Sequence, residues 1–377
     1  MKNAHAKNVI RELFGLADVR INGSKSWDIQ VHNPQFYERV LSEGSLGLGE
    51  SYMDCWWDCE ALDEFFCRVL KVQLDKKIKK TIGLQWTILR ANILNRQRKS
   101  KAYVIGERHY DIGNNLFSVM LDEGMNYSCG YWHEAKTLDD AQKAKLDLTC
   151  RKLRLTPGMK VLDIGCGWGG FAKYAAEKYG VQVCGITVSQ EQVEFASKFC
   201  HGLDVCIEYQ DYRDLNETYD RIVSIGMFEH VGSRNYRTYM NAVFRCLKSG
   251  GLFLLHTIGG NTSVKSNDPW IDKYIFPNSM LPSAKQIFAA VEGLFVLEDW
   301  HSFGQYYDNT LMSWYDNFTK NWHIIKDAYD ERFYRMWTYY LLSCAGSFRA
   351  RDNQLWQIIF SKEGIQGGYS DRENVFA

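Results

Sequence analysis

The run Val161-Leu162-Asp163-Ile164-Gly165-Cys166-Gly167-Trp168-Gly169-Gly170 constrains this chain more than any other feature. A short apolar segment ends in a glycine-dense turn, and a helical pattern over 171–178 starts at once. Gly165 and Gly167 permit backbone conformations and close approaches that a Cβ would block. The helix start that follows offers free N–H groups to a polar ligand. Beyond this turn, strand-like runs recur at 159–164, 181–186, 205–209, 221–225 and 252–257, and helices fit between them at 171–178, 191–199 and 236–247. Such alternation predicts an α/β fold, a Rossmann-like doubly wound sheet with right-handed crossovers. Residues 295–300 and 355–360 add edge strands, and about 305–345 reads as aromatic-rich helical insertion.

Taken alone, the glycines also satisfy G-x-G-x-x-G, which fits a dinucleotide site, and they fit an ordinary tight turn. An NAD site would place an acid at the end of the second strand, about 20 residues on. That strand runs Val181-Gln182-Val183-Cys184-Gly185-Ile186-Thr187-Val188-Ser189, with no acid. Instead Asp163 lies inside the first motif, in the D-x-G-x-G form familiar from class I methyltransferases, which selects S-adenosylmethionine. Asp163 can order the amino-acid portion of that molecule, around Gly165, Gly167 and Gly169. Gln192, just inside the next helix, can replace the missing ribose-binding acid. After the third strand, Gln210-Asp211-Tyr212 lies where such folds bind adenine: Asp211 accepts from the exocyclic amine and Tyr212 stacks on the ring. A helix-capping Asp on a surface loop is the plain alternative for Asp211.

The chain has 377 residues, 46% of them apolar, enough for one large catalytic domain and a small accessory one. Its 45 basic and 45 acidic residues balance, so no global field draws it to nucleic acid. The N-terminus lacks the apolar core of a secretory signal, and no apolar run approaches the roughly 18 residues of a membrane span. Eleven cysteines without regular spacing fit reduced thiols in a cytoplasmic protein better than a disulfide framework. Cys55, Cys59 and Cys67 cluster locally, but no CxxC pair or nearby His completes a metal site, so none is expected. Twelve Trp, 22 Tyr and 20 Phe supply a large aromatic core, or a cavity walled with ring faces.

Residues 1–70 form a small, mainly helical N-terminal domain. Within it 27–31 alternates like a short strand, 34–41 is helical, and Gly44, Gly47 and Gly49 mark a turn-rich loop. A further helix carries Tyr52, Trp56, Trp57, Phe65 and Phe66. Residues 71–101 break the charge balance, with ten Lys or Arg against the single acid Asp75. Ile78, Ile82, Trp86, Leu89 and Ile93 lay an apolar stripe along this basic segment. It is a domain linker, or a surface helix meeting anionic headgroups, each Lys or Arg contributing roughly 1 kcal/mol there. Residues 102–377 form the catalytic domain.

Several further blocks carry a family resemblance. They are 109–117 (His-Tyr-Asp-Ile-Gly-Asn-Asn-Leu-Phe), 125–132 (Met-Asn-Tyr-Ser-Cys-Gly-Tyr-Trp), 226–232 (Gly-Met-Phe-Glu-His-Val-Gly), 255–259 (Leu-His-Thr-Ile-Gly), and Tyr307 ahead of 311–315 (Leu-Met-Ser-Trp-Tyr). With the glycine run and the block containing Thr187, Val188 and Ser189, they resemble the cyclopropane-fatty-acyl-phospholipid synthase family over most of the chain. That family also lacks the second-strand acid. The Glu123-Gly124 pair stands where its members often have a proline.

The resemblance implies methylene transfer from S-adenosylmethionine to a cis double bond of a phospholipid acyl chain, through a carbocation that aromatic faces suit. It implies a cofactor site that includes Tyr127 and Ser128. It further implies that the Cys129 backbone, Glu229, His256, the Ile258 backbone and Tyr307 hold a bicarbonate ion acting as base. Each of the three side chains has a plain alternative: Glu229 a helix cap, His256 a core histidine, Cys129 a small buried apolar group. Cys344 is a second candidate thiol, and Arg349 and Arg351 near it can bind a phosphate or an internal acid. A cytoplasmic enzyme touching the membrane peripherally, as a homodimer, completes the expectation. The rivals are a methyltransferase that leaves a methyl group on a lipid or small molecule, and a non-catalytic lipid-binding protein.

Overall fold

The computed structural model describes residues 2–73 and 113–369. They divide into two compact units. The first holds residues 2–73, 265–277 and 307–353, and the second holds 113–264, 278–306 and 354–369.

The second unit is built on a seven-stranded sheet of β3 (Lys160–Ile164), β4 (Gln182–Thr187), β5 (Val205–Tyr209), β6 (Tyr219–Ile225), β7 (Leu247–Gly260), β8 (Val296–Ser302) and β9 (Asn353–Ser361), in the order β5-β4-β3-β6-β7-β9-β8. The pairs β5–β4, β4–β3, β3–β6 and β6–β7 are parallel, and β8 runs antiparallel to β9. Parallel strands need helices on both faces, so their apolar residues run without alternation. Leu162, Ile164, Ile222 and Phe253 join one core; Val161, Val183, Val223 and Leu254 join the other. All seven strands occur at the residues expected, but β9, expected at an edge, lies inside the sheet between β7 and β8, and only β8 is an edge strand. β7 is longer than expected because its first residues continue pairing past a register shift, with Leu247 opposite Tyr219.

Strand order reverses between β3 and β6. The helices Gly170–Tyr179 and Gln190–Phe199 carry the chain from β3 toward β5, and β6 starts the opposite half. This reversal opens a crevice beyond the strands' carboxyl ends, the place where doubly wound sheets bind ligands.

The first unit contains the helices Lys2–Gly15, Phe36–Glu43, Ser45–Met53, Leu62–Lys71 and Pro269–Tyr274, most of Gln305–Ile325, and Glu331–Arg349. A two-residue ribbon pairs β1 (Gln30–Val31) with β2 (Trp57–Asp58). Two sequence expectations fail here. The glycines at 47 and 49 do not make a loop; they lie within the helix Ser45–Met53. A Cβ on Gly49 would sit 2.3 Å from the Trp270 ring and one on Gly47 2.5 Å from the Arg39 carbonyl, so these glycines permit close packing, not turning. Nor does one helix carry Tyr52 through Phe66. Cys55, at φ +58°, breaks it, and Trp57 enters the ribbon. From residue 74 onward the basic segment 71–101 lies outside the described residues. Among the described residues no helix is long and apolar enough to cross a membrane.

Candidate active site

The glycine turn is fixed by its neighbours. Gly165 adopts φ +82°, and a Cβ there would lie 2.7 Å from Met227 Cγ. The N–H groups of Gly165 and Cys166 both donate to the Ile186 carbonyl, at 2.9 and 3.0 Å, pinning the turn to β4. An open crevice of about 1290 Å³ lies over it. Tyr127, Ser128, Asp163, Gly165, Gly167, Thr187, Val188, Gln192, Gln210, Asp211 and Tyr212 all line this crevice. Gly169 and Ser189, expected with them, serve instead as N-cap residues. Gly169 precedes the helix Gly170–Tyr179, and Ser189 Oγ accepts from the Gln192 N–H at 3.3 Å.

The lining is polar where it must meet a ligand. Thr187 Oγ1 donates to Gln192 Oε1 at 2.7 Å, which leaves Gln192 Nε2 buried without a hydrogen-bond partner among the described residues. Such a donor costs free energy unless a ligand accepts from it, and a ribose hydroxyl does so. Asp211 is held by its neighbour, accepting from Arg213 N (2.9 Å), Nε (2.7 Å) and Nη2 (2.8 Å), so it also takes the local capping role. Tyr212 is buried and meets Tyr239 edge-on, with ring centroids 5.1 Å apart. Asp163 is buried, and desolvation pushes its carboxyl up to about 7 against the opposing charge of Lys145.

Lys145 is a crevice residue the sequence reading missed. It lies on the helix Leu138–Lys152, only 1% exposed, and its Nζ donates to Ser128 Oγ (3.0 Å) and Asn126 Oδ1 (3.3 Å). Burial lowers its pKa to about 8. One turn earlier, Gln142 Nε2 donates to the Ser128 carbonyl at 2.7 Å. The Asp122 carboxylate accepts from Asn126 N and Nδ2 at 2.8 and 2.7 Å, so the segment carrying Tyr127 and Ser128 is tied down from two sides.

Next to this crevice stand Glu229 and His256. Glu229 follows β6 in the short 3-10 turn Phe228–His230, 5% exposed. Its Oε1 accepts from the Ile258 N–H at 2.6 Å, and its Oε2 is buried with no hydrogen-bond partner among the described residues. Burial pushes this carboxyl up to about 7. His256 lies two residues before Ile258 on β7, 1% exposed, and desolvation together with the charges of Lys145 and Lys152 holds its pKa well below the usual value. Gln357 Nε2, from β9, lies 3.3 Å from His256 Nδ1, and His256 Nε2 has no hydrogen-bond partner among the described residues. Gln357 Nε2 is also 3.2 Å from Thr149 Oγ1. Sequence reasoning missed Gln357 because a single amide on a strand carries no motif.

Cys129 belongs to the same unit, fully buried, with its thiol 3.2 Å from the Gly130 carbonyl. Tyr307 and Cys344 belong to the first unit. There the Tyr307 ring packs on Phe348 at 4.5 Å, and burial pushes the Cys344 thiol up to about 12, so it stays protonated. Arg349 binds internal acids: Nε and Nη2 donate to Asp308 at 2.8 and 3.0 Å, and Nη1 to Asp63 at 2.6 Å. Arg351 is exposed at the helix end, with φ +60°. Among the described residues no group of His, Cys, Asp and Glu could hold a metal ion.

This arrangement has counterparts. Residues 97–358 match the family model described as mycolic acid cyclopropane synthetase. The chain is 56% identical over 360 residues to a cyclopropane-fatty-acyl-phospholipid synthase of Escherichia coli strain K12, covering 96% of this chain and 94% of that protein. Among solved structures it resembles the cyclopropane synthase MmaA2 from Mycobacterium tuberculosis, 31% identical, with a TM-score of 0.65 over 69% of this chain and 98% of the other. It also resembles the mycolic acid cyclopropane synthase CmaA1 complexed with SAH and CTAB, 31% identical, with a TM-score of 0.64 and the same coverage. The α/β fold is thus that of class I S-adenosylmethionine methyltransferases, and the chain belongs to the mycolic acid cyclopropane synthetase family.

Proposed function

We propose that this chain transfers a methylene group from S-adenosylmethionine to a cis double bond of a phospholipid acyl chain, forming a cyclopropane ring. The observation that carries the reading is Glu229, a buried carboxyl flanking the cofactor crevice, with one oxygen fixed by Ile258 and the other without a hydrogen-bond partner among the described residues. When bound, S-adenosylmethionine supplies an electrophilic methyl group. Gln192 Nε2, Asp163 and Lys145 are polar groups left for it to satisfy. A carbon–carbon double bond that accepts the methyl becomes a carbocation on the acyl chain, and the ring closes when the new methyl loses a proton.

The site must remove that proton without trapping the cation. The crevice thiol of Cys166 is a poor trap: burial raises its pKa well above the usual value, which keeps it a thiol. In this reading bicarbonate, when bound, supplies the base. Glu229 Oε2 and His256 Nε2, both without a hydrogen-bond partner among the described residues, fit such an ion, and the family resemblance adds the Cys129 backbone. The Ile258 N–H is already given to Glu229, so Ile258 acts by fixing that carboxyl. Two adjacent anions repel, and with its pKa near 7 Glu229 shares its proton with the ion.

The proposal extends to the membrane. Residues 1–70 and the basic segment 71–101 bring the enzyme, as a homodimer, to an anionic bilayer from which the acyl chain is drawn. Replacing Lys76, Lys77, Lys79 and Lys80 by Gln in the full chain should weaken binding to anionic vesicles by at least about 100-fold. Unchanged binding refutes this part alone. The reaction itself is tested by incubating unsaturated phospholipid vesicles with enzyme and S-adenosylmethionine. A gain of one CH₂ with cyclopropane proton signals supports the proposal, whereas the same gain without them identifies a methyltransferase leaving a methyl branch.

A further inference from the structure

Lys145 and Asp163 are opposite charges buried in one crevice that do not neutralise each other. Both side chains line it, at 1% and 2% exposure. They interact only at a distance: their mutual effect is coulombic, and no direct hydrogen bond joins them. Lys145 Nζ has three protons, of which Ser128 Oγ and Asn126 Oδ1 use two, both acceptors being neutral. Asp122, bonded to Asn126, and Asp163 both act on Lys145 only through space, and burying a charge with no directly paired counter-charge is costly. A ligand that brings both missing partners repays the cost.

We propose that Lys145 and Asp163 form a cradle for the zwitterion of the S-adenosylmethionine amino-acid tail, Lys145 binding its α-carboxylate and Asp163 its α-ammonium. Lys145 is then a binding residue of the reaction, at a position outside the glycine motif. The surrounding bonds serve this task. Gln142 and Asp122 fix the 126–128 segment, which in turn aims the ammonium, leaving its third proton for the ligand. The inference rests on the S-adenosylmethionine reading of the crevice and adds to it the recognition of one end.

Calorimetry on the full chain with S-adenosylhomocysteine and with its decarboxylated analogue, which keeps adenosine, thioether and amine, tests the cradle. Lys145→Met should weaken S-adenosylhomocysteine binding about 30-fold while changing the analogue's affinity less than about 3-fold. The wild-type protein should prefer S-adenosylhomocysteine over the analogue by a similar factor. Lys145→Gln, which keeps a donor for Ser128 but no charge, carries the test if the methionine variant does not fold. Equal weakening of both ligands means that Lys145 only shapes the crevice, and no weakening of either means that it is not needed; each overturns the proposal. Failure of the wild-type protein to bind S-adenosylhomocysteine at all would instead overturn the cofactor reading beneath it.

Discussion

The Ile258 N–H donates to Glu229 Oε1 at 2.6 Å, which fixes the carboxyl plane and leaves Oε2 without a hydrogen-bond partner among the described residues. One backbone bond between the turn after β6 and strand β7 thus orients the buried acid to which the proposed mechanism gives the proton transfer. Glu229→Gln keeps the size and an acceptor for Ile258 but cannot exchange a proton at that position. We expect kcat to fall about 10²- to 10⁴-fold, with S-adenosylhomocysteine affinity nearly unchanged. Single-turnover product formation beside calorimetry checks both; a large loss of affinity would place Glu229 in the cofactor site instead.

The same carboxyl makes stability depend on pH. Its folded pKa, about 7, lies above the ordinary 4.5, so the folded state holds the proton more tightly than the unfolded one. Its contribution is fully present below pH 4.5 and is lost as pH rises through about 7. Glu229→Gln removes that dependence. Relative to wild type, the variant should be more stable at pH 8 than at pH 5 by on the order of 3 kcal/mol. Denaturant unfolding of both proteins at the two pH values measures the difference.

Gln357 Nε2 lies 3.3 Å from His256 Nδ1, and donation there would place the ring proton on Nε2. Gln357→Leu removes the donor to Nδ1 and lets the ring choose its tautomer. We expect kcat to drop about tenfold with KM for S-adenosylmethionine unchanged. Histidine-selective ¹⁵N NMR should show His256 leaving the single Nε2–H form. A loss of activity with the tautomer unchanged would mean that Gln357 acts only through packing.

Gln192 Nε2 is a buried donor without a hydrogen-bond partner among the described residues. Gln192→Leu should therefore weaken S-adenosylhomocysteine binding about tenfold while leaving the ligand-free melting temperature unchanged or raised. Both follow from calorimetry and thermal unfolding of one variant. A fall in stability together with unchanged affinity would show that the Thr187–Gln192 bond, and not the ligand, is what this residue serves.

Much of the second unit was legible because its signals are local. Buried strands such as 161–164, apolar but for Asp163, and the unbroken apolar run 252–255 must be covered on both faces, and glycines closing the first must turn. The crevice lining followed from chain order in a doubly wound sheet, which puts the turns after β3, β4 and β5 on one rim. In the first unit the same reasoning failed at Gly47 and Gly49. Glycine permits a turn and a close approach equally, and only the Trp270 ring, some 220 residues away in sequence, selects between them.

By itself the sequence determined the strand order's raw material, the glycine turn, the acid within it, and the blocks that mark the family. These depend on a residue and its near neighbours, where backbone sterics and apolar periodicity act. Only the tertiary structure decided that Lys145 lies buried in the crevice, that Gln357 orients His256, and that Glu229 keeps one oxygen uncommitted. The physical reason is that desolvation and hydrogen-bond saturation are properties of an assembled environment: a lysine on a helix is ordinary until the fold removes its water.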